Sequence, residues 1–375
     1  MRSVPRTEKT MSLYTSLVRP ALFRLDPEFV HHATLGLAGT LGFAAGPMRF
    51  FSAVDDRRLP VTVAGLNFPS PIGLAAGFDK NGAAVPFLAG LGFGFLELGS
   101  VSSEPSGGNP RPRLFRLPDD EAIVVAYGVP NQGADRVAAR LAGQRHRVPI
   151  GLNIVATNRG PNAPAEPDDA IIAEYMIAAR RLAPVADYLM FNLSCPNTCD
   201  GRDFFADRGR MSAWLDALDA ARLDRRPVFL KVSPAGGIAG IEQLLELCDA
   251  HDTIDGFMFN LPSTKPAGLK TPESVWKSLP GAVAGPPAAA VLDECLVECY
   301  RRMDRSRYVL LASGGVSSPE DAYAKIRKGA SLVELLTAMI YQGPGVVHRI
   351  TVGLADLMAR DGVKSVSEVV GADVR

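Results

Sequence analysis

The sequence predicts an α/β protein whose main domain is a (β/α)8 barrel of the TIM type, with an N-terminal helical extension. Two observations predict it: eight short apolar runs alternate with helix-like segments, and polar residues follow these runs where each one ends. Strands buried on both faces form near-continuous apolar runs, and eight strand–helix units close a barrel. An open, doubly wound sheet is the alternative, but it usually has fewer strands and a phosphate loop after the first one.

Composition favours a globular protein that acts on small molecules. The chain has 375 residues, of which 47% are hydrophobic and 21% are charged. These values exclude disordered and fibrous classes. Lys plus Arg and Asp plus Glu both number 40, so no net charge attracts the protein to nucleic acid. We therefore expect a small-molecule partner and no nucleic acid.

The cysteines predict neither a disulfide framework nor a metal site. There are five, an odd number that is small for this length, which favours a reducing compartment. Cys195 and Cys199 form one Cys-x-x-x-Cys pair, and Cys295 and Cys299 form another. The second pair falls on a predicted helix as core neighbours, and neither pair has the second tight cluster that a zinc ribbon needs.

The N-terminal region is predicted to be a flexible segment, residues 1–11, followed by a helical pair, residues 12–52. The second helix begins with Asp26 as N-cap and Pro27 in its first position, and the pattern breaks at Gly46-Pro47. Its dense apolar residues suit either a helical pair docked on the barrel or an amphipathic element lying on a membrane. Since no apolar run approaches the ~20 residues of a spanning helix, we expect a cytoplasmic protein, peripheral at most on the inner face of the cell membrane.

Residues 60–375 are predicted to form the barrel. A small hairpin, Val61 to Phe68 with its turn at Gly65, precedes the first barrel strand within this domain. The eight predicted barrel strands are Ile72–Ala75, Phe93–Leu98, Ile150–Ile154, Tyr188–Asn192, Val228–Val232, Gly256–Asn260, Tyr308–Ser313 and Leu332–Leu336.

Polar residues at the strand ends predict where the active site lies. Barrel enzymes place their active sites at the C-terminal ends of the strands, and a phosphate often binds after strands seven and eight. Gly314-Gly315 follows the seventh strand, and a helix beginning near Ser318 could add N–H groups for an anion. The strand-end residues are Gly77, Lys80, Ser100, Asn153, Asn192 to Asn197, Lys231, Asn260, Gly314, Gly315 and Thr337.

The stretch from Asn192 to Thr198 is the most informative of these. Two amides, Asn192 and Asn197, flank the thiol of Cys195 directly after a buried strand. This arrangement suits a planar, carbonyl-rich substrate held beside a proton acceptor. By itself Cys195 could be a small buried hydrophobe, and Lys80 or Lys231 alone could be a solvated surface lysine.

Four motifs in order resemble the dihydroorotate dehydrogenases, from about residue 12 to 350. They are Pro71-Ile-Gly-Leu-Ala-Ala-Gly-Phe-Asp-Lys-Asn-Gly82, Gly99-Ser-Val-Ser102 with Gly108-Asn-Pro-Arg-Pro-Arg-Leu-Phe-Arg-Leu117, Asn192 to Thr198, and Ala312-Ser-Gly-Gly315. The helical N-terminus and Leu25-Asp-Pro-Glu28 resemble the quinone-dependent, membrane-associated class in particular. The resemblance implies a barrel that holds flavin mononucleotide (FMN), a helical entry for quinone, and a place in pyrimidine biosynthesis.

The resemblance also implies the residues of the site. The FMN-binding set would be Ala76, Gly77, Ser100, Asn153, Asn192, Lys231, Gly285, Gly314, Gly315 and Thr337. The substrate-binding set would be Lys80, Asn192, Asn197, Tyr127 and Asn260. Cys195 stands at the position of the catalytic base, Lys80 lies between flavin and the substrate carboxylate, and Lys231 stabilises negative charge on the flavin. The family base removes one proton while a hydride leaves the neighbouring carbon.

The sequence departs from the family in the base and in the substrate pocket. The membrane-associated class has serine where Cys195 stands, and a thiol with a pKa near ~8.5 should preserve the chemistry. Val125 and Pro130 stand in the segment that carries pyrimidine-binding asparagines in the family, Leu261 replaces a further amide, and Leu336 replaces a tyrosine. Each lost hydrogen bond costs ~0.5–1.5 kcal/mol, which predicts weakened orotate binding.

Three functions follow as hypotheses. The first is FMN-dependent oxidation of a C–C bond next to a carbonyl, with dihydroorotate or a related small carboxylate or carbonyl compound as substrate and quinone as acceptor. The second is a flavin-binding protein without catalysis, although Cys195 and Lys80 argue against it. The third retains catalysis with a less polar substrate or with a soluble acceptor in place of quinone. Leu336 favours the soluble acceptor.

Overall fold

The computed structural model describes residues 12–160, 162–164, 166–194, 204–223 and 225–374. Residues 1–11, predicted to be flexible, lie outside these ranges, as do Cys195, Asn197 and Cys199.

The described residues form a closed barrel of parallel strands, which confirms the predicted fold class. The barrel order is β3-β4-β7-β8-β9-β10-β12-β13, and β13 pairs with β3 to close it. The strands in chain order are β1 Val61–Val63, β2 Leu66–Phe68, β3 Ile72–Leu74, β4 Phe95–Val101, β5 Leu114–Leu117, β6 Ala122–Val125, β7 Ile150–Ile154, β8 Tyr188–Asn192, β9 Val228–Val232, β10 Gly256–Phe259, β11 Ala282–Ala284, β12 Val309–Ala312 and β13 Ala330–Leu335.

The barrel interior is filled by rings that occupy the space left by glycines on neighbouring strands. A Cβ on Gly73 would lie 2.2 Å from Cζ of Phe95, and a Cβ on Gly151 would lie 2.0 Å from Cζ of Tyr188. Both rings are fully buried. Large side chains on one strand thus fill the space that glycines leave on the next, below the polar residues at the strand ends.

Helices cover the outside of the barrel and form the N-terminal extension. They are α1 Arg19–Leu22, which continues a π-helical segment Tyr14–Val18, α2 Pro27–Thr40, α3 Ala45–Ser52, α4 Val85–Gly90, α5 Ala134–Leu141, α6 Asp168–Leu182, α7 Arg208–Ala221, α8 Gly237–Cys248, α9 Glu273–Trp276, α10 Ala289–Arg302, α11 Pro319–Arg327, α12 Thr337–Gln342 and α13 Val346–Arg360. No helix of the described ranges is long and apolar enough to cross a membrane.

In the extension, the predicted start of the second helix is confirmed, and the predicted break at Gly46-Pro47 is not. Asp26 caps α2, where its Oδ1 accepts the backbone N–H of Phe29 at 2.8 Å. The predicted break at Gly46-Pro47 is wrong, because both residues lie in the first turn of α3. Proline is tolerated there because first-turn N–H groups have no partner within the helix. The extension therefore has a third helical segment.

A three-stranded antiparallel sheet, β5-β6-β11, lies outside the barrel and was not predicted. Its strands β6 and β11 pair as Ala282 with Val125 and Val283 with Val124, although they are far apart in sequence. Each strand has only three or four residues, so no alternating pattern was long enough to indicate it. The sheet covers one side of the barrel mouth.

Polar contacts fasten the extension to this sheet and to the C-terminal part of the barrel. The Tyr14 hydroxyl donates to the carbonyl of Ile340 at 2.8 Å, and Arg19 donates to the carbonyl of Tyr341 at 2.9 Å. Glu28 of α2 and Arg113, which immediately precedes β5, form an ion pair in which both side chains are 6% exposed. These contacts hold α2 over the barrel mouth.

Candidate functional site

A cavity opens at the C-terminal ends of the barrel strands, where the sequence placed the active site. It brings together the ends of β3, β9, β12 and β13 with the antiparallel sheet. The predicted flavin-site residues that line it are Ala76, Gly77, Lys231, Gly285, Gly314, Gly315 and Thr337. Ser100, Asn153 and Asn192 do not line it but join its residues through hydrogen bonds.

The diglycine after β12 forms a cradle that only glycine can build. Gly314 and Gly315 have φ values of +84° and +76°, and Cβ atoms there would lie 2.4 Å from Leu292 and 2.6 Å from Ala289. Within the described part of the chain, no group accepts the backbone N–H of Gly314, Gly315 or Val316. Consecutive free N–H groups in such a turn bind anions, and a phosphate fits them.

The helix that follows the diglycine contributes less to an anion site than the sequence suggested. The Ser318 hydroxyl accepts the N–H of Asp321 at 3.1 Å. The Asp321 carboxylate in turn accepts the N–H and the hydroxyl of Ser317 at 3.0 and 2.9 Å. Because these groups already have partners, the diglycine backbone is the better anion binder.

A chain of buried hydrogen bonds runs beneath the cavity. Ser100 donates to Oδ1 of Asn153 at 2.5 Å, and Nδ2 of Asn153 donates to Oε1 of Glu97 at 2.8 Å. The Lys231 ammonium lies 3.8 Å from the same Glu97 oxygen. Lys231 therefore lines the cavity floor beside a buried carboxyl group, and its predicted role in stabilising negative charge stays a prediction.

Two amides are fixed next to the segment predicted to carry the base. Nδ2 of Asn260 donates to Oδ1 of Asn192 and to the carbonyl of Ser194, both at 3.0 Å. Nδ2 of Asn192 reaches the hydroxyl of Ser100 at 3.4 Å. Cys195 and Asn197 follow directly but lie outside the described residues, so their roles stay predictions.

Lys80 lines a second cavity, between the barrel mouth and α2. Its ammonium donates to the carbonyl of Gly77 at 2.7 Å and lies 3.4 Å from Nε2 of His31. Burial lowers the pKa of Lys80 to about 8. Burial also lowers the pKa of His31 well below its ordinary value, and the Lys80 charge adds to this. A neutral His31 beside a cationic Lys80 leaves that cation available to a carboxylate.

Tyr127 lies between the two cavities and lines both. Its ring is 4.1 Å from the Lys80 ammonium, close enough for a cation–π contact. Its hydroxyl is buried without a hydrogen-bond partner in the described residues, and burial raises its pKa. A buried hydroxyl without a partner is costly, so it is positioned to bond a ligand.

The positions that depart from the family pattern lie on the cavity walls. Val125, Leu261 and Leu336 line the first cavity, and Pro130 lines the second. Apolar side chains therefore stand in the cavities at positions where the resemblance led us to expect polar groups.

Several lining residues were not predicted from the sequence. Ile123 and Ala284 belong to the unpredicted antiparallel sheet. Glu334 lies on β13 within an otherwise apolar run, and a lone carboxylate in a buried strand was a signal that could have identified it. In the described ranges, no three His, Cys, Asp or Glu side chains cluster as metal ligands would.

Comparisons with known proteins agree with this geometry. Residues 58–358 match the family model described as dihydroorotate dehydrogenase. A dihydroorotate dehydrogenase (quinone) from Halobacterium salinarum is 40% identical over 364 residues, which is 96% of this chain and 99% of that protein. One from Thermobifida fusca is 39% identical over 372 residues, 96% of this chain and 97% of that protein. A crystal structure of DHODH in complex with ferulenol from Eimeria tenella superposes with a TM-score of 0.81 at 28% identity, covering 96% of this chain and 99% of that one.

Proposed function

The chain belongs to the dihydroorotate dehydrogenase family of oxidoreductases that act on CH–CH groups, and we propose that it oxidises dihydroorotate to orotate with FMN as cofactor and a quinone as acceptor. The observation that carries the proposal is the cavity at the strand ends, which is lined both by a diglycine with free N–H groups and by a buried lysine. Barrel enzymes frequently bind a phosphate after their seventh and eighth strands, which is where this diglycine lies.

The residues present fit FMN. The N–H groups after β12 suit its phosphate, and Lys231 suits the end of the ring system that gains negative charge. The full set proposed to hold it is Ala76, Gly77, Ser100, Asn153, Asn192, Lys231, Gly285, Gly314, Gly315 and Thr337. When bound, FMN would accept an electron pair and one hydrogen from the substrate and pass the electrons to a quinone, which becomes a quinol on taking up two protons.

The substrate would bind between Lys80 and the amides. Lys80 would pair with its carboxylate, Asn192, Asn197 and Asn260 would bond its ring, and the Tyr127 hydroxyl would bond a further oxygen. Cys195 as thiolate would take the proton from one carbon, so that two C–H bonds break and one C=C bond forms. A second candidate is a less polar carboxylate, which the apolar side chains of Val125 and Leu261 favour.

The N-terminal extension supports quinone as acceptor and a membrane surface as partner. Phe43, Phe50 and Phe51 are 83%, 82% and 79% exposed, and Leu13 and Leu17 are also exposed on the same extension. Exposed aromatic and aliphatic residues of this density suit insertion into the interface of a bilayer. The second cavity lies between α2 and Lys80, and we propose it as the place where the acceptor enters from the extension.

Absorption spectroscopy and anaerobic reduction test the proposal together. The purified protein should show a flavin band from one non-covalent FMN, and dihydroorotate should bleach it. A panel of dihydropyrimidines and small carboxylates separates the two substrate candidates. A protein that binds no flavin after reconstitution contradicts the cofactor assignment, and one that is bleached only by another carboxylate contradicts dihydroorotate.

A further inference from the structure

Glu334 is a buried carboxyl at the floor of the proposed flavin cavity, and the proposed function assigns it no role. It is 0% exposed, lies on β13 opposite Gly73, and lines the cavity. Neither of its carboxyl oxygens accepts a hydrogen bond from any donor within the described ranges. An ionised carboxylate in this position would lack the donors that buried charges require.

The neighbouring Glu97 of β4 is in the opposite situation. Its oxygens receive Nδ2 of Asn153 at 2.8 Å and the Tyr188 hydroxyl at 3.4 Å, and the Lys231 ammonium lies at 3.8 Å. Each Glu97 oxygen therefore has a donor, and an ammonium lies beside the carboxyl group. A negative charge on Glu334 would have no cation of its own among the described residues.

The ionisable groups that face Glu334 favour its uncharged form. They are Glu97 on β4, Lys231 on β9 and Tyr188 on β8. Burial raises the pKa of Glu334 well above its usual value, and the charge of Glu97 raises it further, against a smaller opposite effect of Lys231. Glu334 on β13 and Glu97 on β4 lie on the two strands that flank β3, and two carboxyl groups can share a hydrogen bond only if one of them carries a proton.

We propose that Glu334 is a neutral carboxylic acid that donates its O–H to Glu97 and offers its second oxygen to the bound cofactor as an uncharged acceptor. The proposal rests on the assignment of this cavity to FMN. It makes Glu334 a positioning residue for the flavin, and it makes flavin affinity depend on pH. As pH rises far enough to ionise Glu334, a negative charge appears beneath the cofactor and its binding weakens.

Infrared spectroscopy of protein labelled with ¹³C-glutamate tests the protonation state directly. The label separates glutamate from aspartate, and the difference between the parent and Glu334→Gln assigns the band to Glu334. We expect a carboxylic-acid C=O band at neutral pH that Glu334→Gln removes. The band is measurable with or without FMN. A flavin-loaded protein without this band overturns the inference, whereas a protein that binds no flavin contradicts the proposed function.

Flavin binding by two variants tests the role. Glu334→Gln keeps a neutral donor and acceptor of the same shape, so its FMN dissociation constant should stay within about threefold of the parent's, whereas Glu334→Leu should weaken binding about two- to tenfold. At alkaline pH the parent should lose affinity while Glu334→Gln keeps it. Tighter binding by Glu334→Gln at neutral pH would show an ionised Glu334 and refute the proposal. If neither variant folds, the pH titration of the labelled band in the parent decides.

Discussion

Replacing Glu28 with alanine should destabilise the protein by leaving Arg113 buried without its counter-charge. Nε and Nη2 of Arg113 donate to Oε1 of Glu28 at 3.2 and 2.8 Å, and both side chains are 6% exposed. The pair joins α2 to the chain that enters β5. Its loss should therefore free α2 from the barrel mouth as well as lower stability.

The magnitude follows from the environment of the orphaned guanidinium. Removing one partner of a buried ion pair costs about 3–5 kcal/mol. Arg113 would keep the carbonyls of Gly107 and Asn109, each at 2.7 Å, so we expect the lower end of that range. With an unfolding entropy of about 2.1 cal/mol/K per residue, 3 kcal/mol corresponds to a Tm about 4 °C lower for a chain of this length.

Thermal unfolding and hydrogen exchange measure the two effects. The matched control is Glu246→Ala, which breaks an exposed pair with Arg208 and should leave Tm unchanged. Amides of α2 should exchange faster in Glu28→Ala than in the parent. Although burial acts to raise it, the hydrogen bonds and charge of Arg113 hold the pKa of Glu28 below its usual value. The stabilisation is thus complete above the unfolded pKa of about 4.3 and is lost as pH falls through the lower folded value.

Equal melting temperatures for Glu28→Ala and Glu246→Ala at neutral pH would refute this reasoning. A Tm difference that persists unchanged at acidic pH, where Glu28 is protonated in both states, would assign the loss to packing and not to the ion pair.

Four further predictions concern the site. Because burial lowers the pKa of Lys80 to about 8, affinity for a carboxylate substrate should fall as pH rises through about 8. Stopped-flow flavin reduction measures this fall, and Lys80→Arg should remove it. If Lys80→Arg has the same pH profile as the parent, Lys80 is not the carboxylate partner. Gly315→Val should release FMN into the ultrafiltrate, since a Cβ there lies 2.6 Å from Ala289, while Gly240→Ala on α8 has open space around it and should retain FMN. Cys195→Ala should slow flavin reduction by about 10²–10⁴-fold, and Cys195→Ser should keep some activity with a higher pH optimum. Cys199→Ala should react as the parent does. If the flavin of Cys195→Ala is reduced at the parent rate, the base lies elsewhere. Deleting residues 1–52 should leave a less stable barrel that still holds flavin but neither floats with liposomes nor turns over quinone. Replacing Phe43, Phe50 and Phe51 with serine should abolish liposome flotation and leave flavin binding and stability unchanged. Quinone turnover by the truncated protein equal to that of the intact chain would contradict the role of the extension.

Local patterns were enough to predict the barrel and its mouth. Each of the eight predicted runs overlaps an observed strand because a parallel strand buried on both faces is apolar throughout its length. The N-cap of α2 was likewise predictable, since Asp26 and Pro27 act through their own backbone neighbours. The diglycine after β12 was found for the same reason: a turn and its close approach to Ala289 need glycine locally.

The third helix of the extension and the antiparallel sheet could not be predicted in this way. Gly46-Pro47 is a break signal in most contexts, and its position within a first turn depends on where α3 begins. The pairing of β6 with β11 joins segments far apart in the chain, and their short runs have no period of their own. That pairing depends on the barrel, which brings the two segments together.

The sequence by itself determined the barrel, the family and most of the residues proposed to hold the flavin, because motifs at strand ends are read residue by residue. Only the tertiary structure decided which of these groups act as partners. Glu97 and Glu334 are both single carboxylates in apolar strands, yet one receives Asn153, Tyr188 and Lys231 while the other receives no donor among the described residues. That difference arises from strands closing into a barrel, which brings charges from distant segments within a few ångströms in a medium that cannot screen them.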